Sequence, residues 1–194
     1  WDAANGINAG ATVYYTEFED QIGRKVICDT RDGSDPICEV NGVTREYINQ
    51  YTNHDSAELR GVELFFNVPL GPVDLKTNYT YSDSEITESK DSPESVGQPF
   101  NNLPKHMVNV GVDWAATEAL GVWAKARYKS STVEDSTSQR PSYTLVDVGA
   151  LYRVSDNFDV YGGLYNLFDK QVTAEDYGKT LDGRRLNLGV AFNF

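Results

Sequence analysis

Eight stretches of this chain alternate apolar with small or polar residues, and the connections between them alternate strictly between long and short. The stretches are 7–16, 47–68, 73–82, 107–114, 120–129, 146–153, 158–165 and 186–194. In the last, Leu186, Leu188, Val190, Phe192 and Phe194 share one parity, and Asn187, Gly189, Ala191 and Asn193 share the other. A strand points successive side chains to opposite faces, so each stretch predicts a strand with one greasy face. The long connections are 19–45, 84–104, 130–142 and 169–183. The short ones are Pro69-Leu70-Gly71-Pro72, Ala116-Thr117-Glu118 and Ser155-Asp156-Asn157, all rich in turn formers.

Soluble sandwiches space their turns without such a rhythm. Outer-membrane barrels have short turns on the periplasmic side and long loops outside. A strand of about 11 residues rises about 36 Å along its axis. Tilted by about 45°, it covers about 25 Å of height, which matches the apolar band of such barrels. Tyr15, Trp114, Tyr128 and Tyr152 each stand at an end of an apolar face, as interfacial girdles require. The expected fold is therefore all-β, an antiparallel transmembrane β-barrel segment of eight strands. A soluble ligand-binding barrel is the rival.

The totals agree. Mean hydropathy is -0.48 and no apolar run is long enough for a membrane helix, which leaves a barrel untouched. Twelve Tyr, eight Phe and three Trp beside a single Met favour strands and girdles. A net charge of -12 argues against nucleic acid as a partner. Cys28 and Cys38 lie in a polar stretch with no further zinc ligands nearby. A local disulfide is a better reading than two free thiols, and it implies an oxidising compartment. His54 and His106 fall in no metal-ligand spacing, and no catalytic set is convincing, so no enzyme, metal site or cofactor is expected.

The charged residues on the polar parity are Lys76, Asp113, Lys125, Arg127, Asp147, Arg153 and Asp159. They are inexpensive facing water and costly facing lipid. They are expected to pair with one another or with whatever fills the barrel.

Several pieces resemble the TonB-dependent receptors. These are Gly61-Val62-Glu63-Leu64, the run from Asn78 through Glu85, Leu103-Pro104-Lys105-His106, Tyr143-Thr144-Leu145-Val146-Asp147, Asn166-Leu167-Phe168-Asp169-Lys170, and Asp182-Gly183-Arg184-Arg185 through Phe194. Within that family the chain is most similar to catecholate siderophore receptors, including the colicin I receptor type. The resemblance implies that residues 1–194 are the carboxyl-terminal part of a 22-stranded barrel, whose plug and TonB-contacting box lie elsewhere. Trp1-Asp2-Ala3-Ala4-Asn5 would then be a periplasmic turn. It implies transport of a ferric siderophore across the outer membrane of a Gram-negative bacterium. TonB would supply the energy through the amino-terminal part. Other implied partners are membrane lipid and lipopolysaccharide, the barrel-assembly machinery at the last strand, and colicins or phage. The alternative is a complete small eight-stranded barrel with a structural or adhesive role.

A ferric tris-catecholate is a trianion with aromatic faces, so its site calls for cations and aromatics near the mouth. The candidates are Arg24, Lys25, Arg31, Arg45, Tyr47, Arg140, Tyr143, Tyr177, Arg184 and Arg185. The acidic run 83–94 would repel such a ligand and reads as a solvated loop or a divalent-cation contact to lipopolysaccharide.

Overall fold

The computed structural model describes residues 6–31, 35, 37–90, 93–134 and 138–192, and gives the backbone alone at 21–26 and 51–55. The expected turn at residues 1–5 and His54's side chain lie outside what is described.

Eight long strands form one antiparallel sheet: β1 (Asn8–Asp29), β4 (Tyr47–Leu70), β5 (Val73–Ser89), β6 (His106–Ala115), β7 (Leu120–Lys129), β10 (Tyr143–Ser155), β11 (Phe158–Tyr165) and β12 (Arg185–Phe192). They lie side by side in chain order, with β1 and β12 at the two edges. The long-short rhythm holds. The long connections carry small elements of their own. β2 (Cys38–Val40) and β3 (Val43–Arg45) form a hairpin, as do β8 (Thr132–Val133) and β9 (Gln139–Arg140). A 3-10 turn spans Pro93–Ser95, and α1 spans Ala174–Tyr177. The tip of the first hairpin is Asn41-Gly42 with φ of 54 and 75, the backbone that a two-residue type I′ turn demands.

Two strands run well beyond what the sequence pattern predicts. β1 runs to Asp29 rather than ending near residue 18, β5 runs to Ser89, and the expected loops 19–45 and 84–104 are shorter by that much. Backbone pairing needs no apolar side chain, so a strand with two polar faces loses its period-2 signature without losing its ladder. The acidic run 83–94 thus begins inside β5 rather than in a loop.

The chain divides into two compact units. One holds Trp1–Tyr14, Arg60–Asp83 and Asn101–Phe194. In it, the register sorts side chains onto two faces. On one, Leu75, Val112, Ala124, Val148, Leu164 and Leu186 follow one another across neighbouring strands. This face is open: Leu188 is 72% and Val13 79% exposed. A contiguous apolar surface of this extent marks contact with lipid. Aromatics rim it at both ends. Trp114, Tyr152 and the stacked pair Phe158–Phe192 (4.6 Å) lie toward the short turns, and Tyr79, Tyr128 and His106 toward the long loops.

The other face is polar, and its charges pair off. Lys76 meets Asp113 at 2.9 Å, Arg127 meets Asp147 at 3.0 Å and Arg153 approaches Asp159 at 3.9 Å. Of the seven expected charges, only Lys125 makes no ion pair among the described residues, because Asp147, its direct partner across the ladder, is taken by Arg127. Its ammonium lies 5.4 Å from the Trp123 ring centre instead. Aromatic rings cover glycines on this face. A Cβ at Gly10 would stand 2.2 Å from Phe65, and one at Gly149 2.4 Å from Trp123.

The second unit holds Tyr15–Leu59 and Ser84–Phe100. Cys28 and Cys38 are joined in a disulfide there, with Cα atoms 5.7 Å apart. Phe18 packs edge-on against Phe100 at 5.9 Å.

Candidate functional site

The long loop before β10 and the long loop after β11 converge at the end of the polar face where Tyr143 stands opposite Lys129. The loop after β11 does not leave the wall as a free arm. Asn166 adopts φ 51, a left-handed conformation that asparagine tolerates. It is buried, and all its polar groups are used. Its amide N–H donates to Asp147 Oδ1 (2.8 Å), and its side chain donates to the carbonyls of Lys170 (3.0 Å) and Asp182 (3.2 Å). Its Oδ1 accepts from the Lys170 amide (2.8 Å). Asp147, itself buried, is the pivot: it holds Arg127 on the neighbouring strand and the loop at Asn166.

Beyond this knot, Val172 bridges to Leu181, and Thr173 caps α1 by accepting from the Asp176 amide. Gly178 ends the helix at φ 68, where its missing Cβ also makes room for the Arg140 guanidinium. The short helix thereby delivers Tyr177, buried to 8% exposure, edge-on to Tyr143 with ring centres 5.4 Å apart. Lys170 Nζ stands 5.3 Å from the centre of the Tyr177 ring, and Lys179 Nζ stands 5.3 Å from that of Tyr143. Lys129 joins them as the direct partner of Tyr143 across the β7–β10 ladder. Arg140 bonds Glu134, the one anion in direct contact with this group among the described residues. Four cations thus surround a pair of crossed phenol rings. Such a cluster suits a multiply charged anion with flat aromatic faces.

The predicted residues fall into separate places. Arg140, Tyr143 and Tyr177 come together in this cluster. Arg185 lies beside it, paired with Asp182 at 2.9 Å and 5.7 Å from the Tyr165 ring, which in turn lies 5.9 Å from Trp123. Arg184 is exposed, its amide held by Asp169 Oδ1 at 2.8 Å. Arg31, Arg45 and Tyr47 belong to the second unit. There Arg31 pairs with Asp29 at 2.5 Å and lies 4.1 Å over the Tyr47 ring, while Arg45 is exposed on β3. The Arg31 side chain, then its amide, hold the Asp29 carboxyl down at about 2. Arg24 and Lys25 lie in β1 rather than in a loop, and their side chains are not described. The sequence reading missed Lys129, Lys170 and Lys179. Thr173-x-x-Asp176 followed by Gly178 is a cap-to-cap signal that reveals the short helix. With that helix placed, Lys170 and Lys179 bracket it.

The comparisons with known proteins fit this architecture. Residues 1–167 match the model of the family described as TonB dependent receptor-like, beta-barrel. The chain belongs to that family of outer-membrane transport receptors. It lies in the outer membrane of a Gram-negative bacterium, as a stretch of antiparallel β-barrel wall. Over its whole length it is 32% identical to the iron-regulated outer membrane virulence protein of Vibrio cholerae, covering 29% of that protein. Over 87% of its length it is 26% identical to the ferric enterobactin receptor of Pseudomonas aeruginosa, covering 23% of it. The crystal structure of the siderophore receptor PiuA from Acinetobacter baumannii superposes on 99% of the chain with a TM-score of 0.77 at 24% identity, over 27% of that receptor. The chain spans less than a third of the length of each.

Proposed function

We propose that this chain is the carboxyl-terminal part of the barrel of a receptor that carries a ferric siderophore of the catecholate type inward across the outer membrane, with energy supplied through TonB. The observation that carries the reading is the mouth cluster. Lys170 and Lys179 lie over the crossed rings of Tyr177 and Tyr143, with Lys129 and Arg140 adding charge. A ferric tris-catecholate presents three negative charges and aromatic faces, which is the complement of that arrangement. The relatives named for iron regulation and for ferric enterobactin support the same cargo class.

The test is uptake of radioactive iron, given as a ferric tris-catecholate, by iron-starved cells bearing the full-length receptor. Replacing Lys170 and Lys179 together with Gln should weaken surface binding about tenfold, since each cation contributes about 0.5–1 kcal/mol. Deleting TonB should stop uptake and leave surface binding intact. Unchanged binding in the double variant would refute the mouth assignment.

A further inference from the structure

Most glycines on the polar face are covered. Gly10, Gly61, Gly149, Gly163 and Gly189 each lie under an aromatic side chain. Gly111 differs. It sits in the middle of β6, paired on both sides, with no positive φ. A Cβ built there meets nothing nearer than 3.9 Å. Gly121 is similarly open but stands at the turn end of β7. Neither backbone conformation nor an overlying ring therefore calls for glycine at 111.

Its missing side chain opens a hollow instead. Lys76 and Lys125 are its direct partners on either side. Two strand spacings, about 9.6 Å, separate their backbones. The next row toward the mouth is Asn78, Asn109 and Arg127. The hollow measures about 480 Å³, and Asp113, Val110 and Ala126 complete its lining. Asp113 is held by Lys76, and Asp147, the direct partner of Lys125 across the β7–β10 ladder, is held by Arg127, which leaves Lys125 without an ion pair among the described residues. An ammonium without an ion pair, the flank of a guanidinium and two amides form a donor set for an oxygen anion. Lys129, Arg127 and Lys125 share the polar parity of β7 at steps of about 7 Å, so the mouth cluster and the hollow are joined by a ladder of cations.

We propose that the hollow around Gly111 is a second, deeper station where an anionic oxygen group of the transported ligand rests on its way along the wall. The proposal rests on the transport reading above. Its class of ligand is the hard oxygen anion, whether catecholate or carboxylate.

The test uses the full-length receptor carrying Gly111→Cys. The site has room for the side chain, and both native cysteines of this segment are locked in their disulfide. Labelling rates are compared for a sulfonate-bearing and a trimethylammonium-bearing thiosulfonate. The sulfonate reagent should be favoured about tenfold over its preference for a free thiol. Lys125→Gln should abolish that preference, and Lys125→Arg should restore it. A ferric tris-catecholate should slow the labelling in energised cells. If Gly111→Cys disturbs the wall, Asn109→Cys gives the same readout. Preference for the cationic reagent, or a thiol that neither reagent reaches because protein fills the hollow, overturns the station. A receptor that transports the chelate without charge preference overturns the station alone. One that keeps the preference but takes up no ferric tris-catecholate overturns the mouth reading and leaves the station to another anionic cargo.

Discussion

The phenol ring of Tyr161 lies over Gly189, its direct partner across the β11–β12 ladder, so that a Cβ at position 189 would stand 2.4 Å from Cζ of the ring. The contact is with side-chain atoms alone, which makes it a clean pair to perturb. Gly189→Ala should cost about 1–3 kcal/mol by overpacking. In a Tyr161→Ala background the same change should cost much less. The coupling is read from a double-mutant cycle on denaturant unfolding of the full-length receptor in detergent. Additive costs would show that the ring moves aside freely.

The apolar face makes a sharp contrast with its neighbours one residue away. Val148→Lys places a charge among lipid tails and should cost about 2–4 kcal/mol near the bilayer centre. Asn109→Lys, on the opposite parity, should be nearly neutral. Spin labels at Val110, Val112, Val148, Leu188 and Val190 should report lipid, and labels at Asn109 and Asn187 should not. The reverse pattern would mean that every strand is turned over.

The carboxylate of Asp83 is shared by Arg60 at 2.8 Å and Lys105 at 2.9 Å. Lys105 first, then Arg60, hold its pKa below the usual 3.8. A depressed carboxylate favours the folded state above its unfolded pKa and loses that advantage as pH falls through the folded value. Wild type should therefore unfold at a higher temperature than Asp83→Asn at pH 6. The gap should begin to close below about pH 4 and vanish in stronger acid. A gap that stays constant down to pH 2 would deny the ion pairs a role.

Asn166 makes four hydrogen bonds: its backbone amide ties the loop to Asp147 of the wall, and its side chain ties together the two ends of the loop at Lys170 and Asp182. Asn166→Ala removes the three made by the side chain and strands two carbonyls and an amide. The expected local loss is about 2 kcal/mol. It should appear as faster hydrogen exchange and proteolysis across 167–184, together with weaker chelate binding, because Tyr177 and the flanking lysines depend on that fold. Protection equal to wild type would show that the Val172–Leu181 bridge suffices.

Reduction of Cys28–Cys38 removes a constraint closing a loop of separation 10. The chain-entropy model gives it about 2–3 kcal/mol. Proteolysis between residues 29 and 47 should rise sharply after reduction, and the unreduced, denatured protein should show no titrating thiol in this segment.

The strands were legible where one face meets lipid. In β6 and β12 the alternation of Val108 to Trp114 and of Leu186 to Phe192 is forced by the bilayer, so the sequence carries it. Where β1 passes Glu19 and Asp20, both faces are polar and the period disappears, although the ladder continues. The mouth was half legible. Tyr143 and Tyr177 are recognisable as aromatics in polar surroundings. That they cross at 5.4 Å depends on a four-residue helix and on the Asn166 knot, which join residues distant in sequence. Lys125 read as one more wall charge. Its lack of a carboxylate partner emerges only when Asp147 is seen to have chosen Arg127.

Every long strand of the sheet pairs with its predecessor in the chain, from β1 through β12, with no crossover. Such a wall is modular. A hairpin can be copied, lost or exchanged between receptors without changing which of the remaining strands are neighbours. Growth during insertion needs only the next local pairing, which keeps the loop-closure entropy of each step small. Cargo preference can then diverge in the long connections while the lipid-facing ladder that carries them stays as it is.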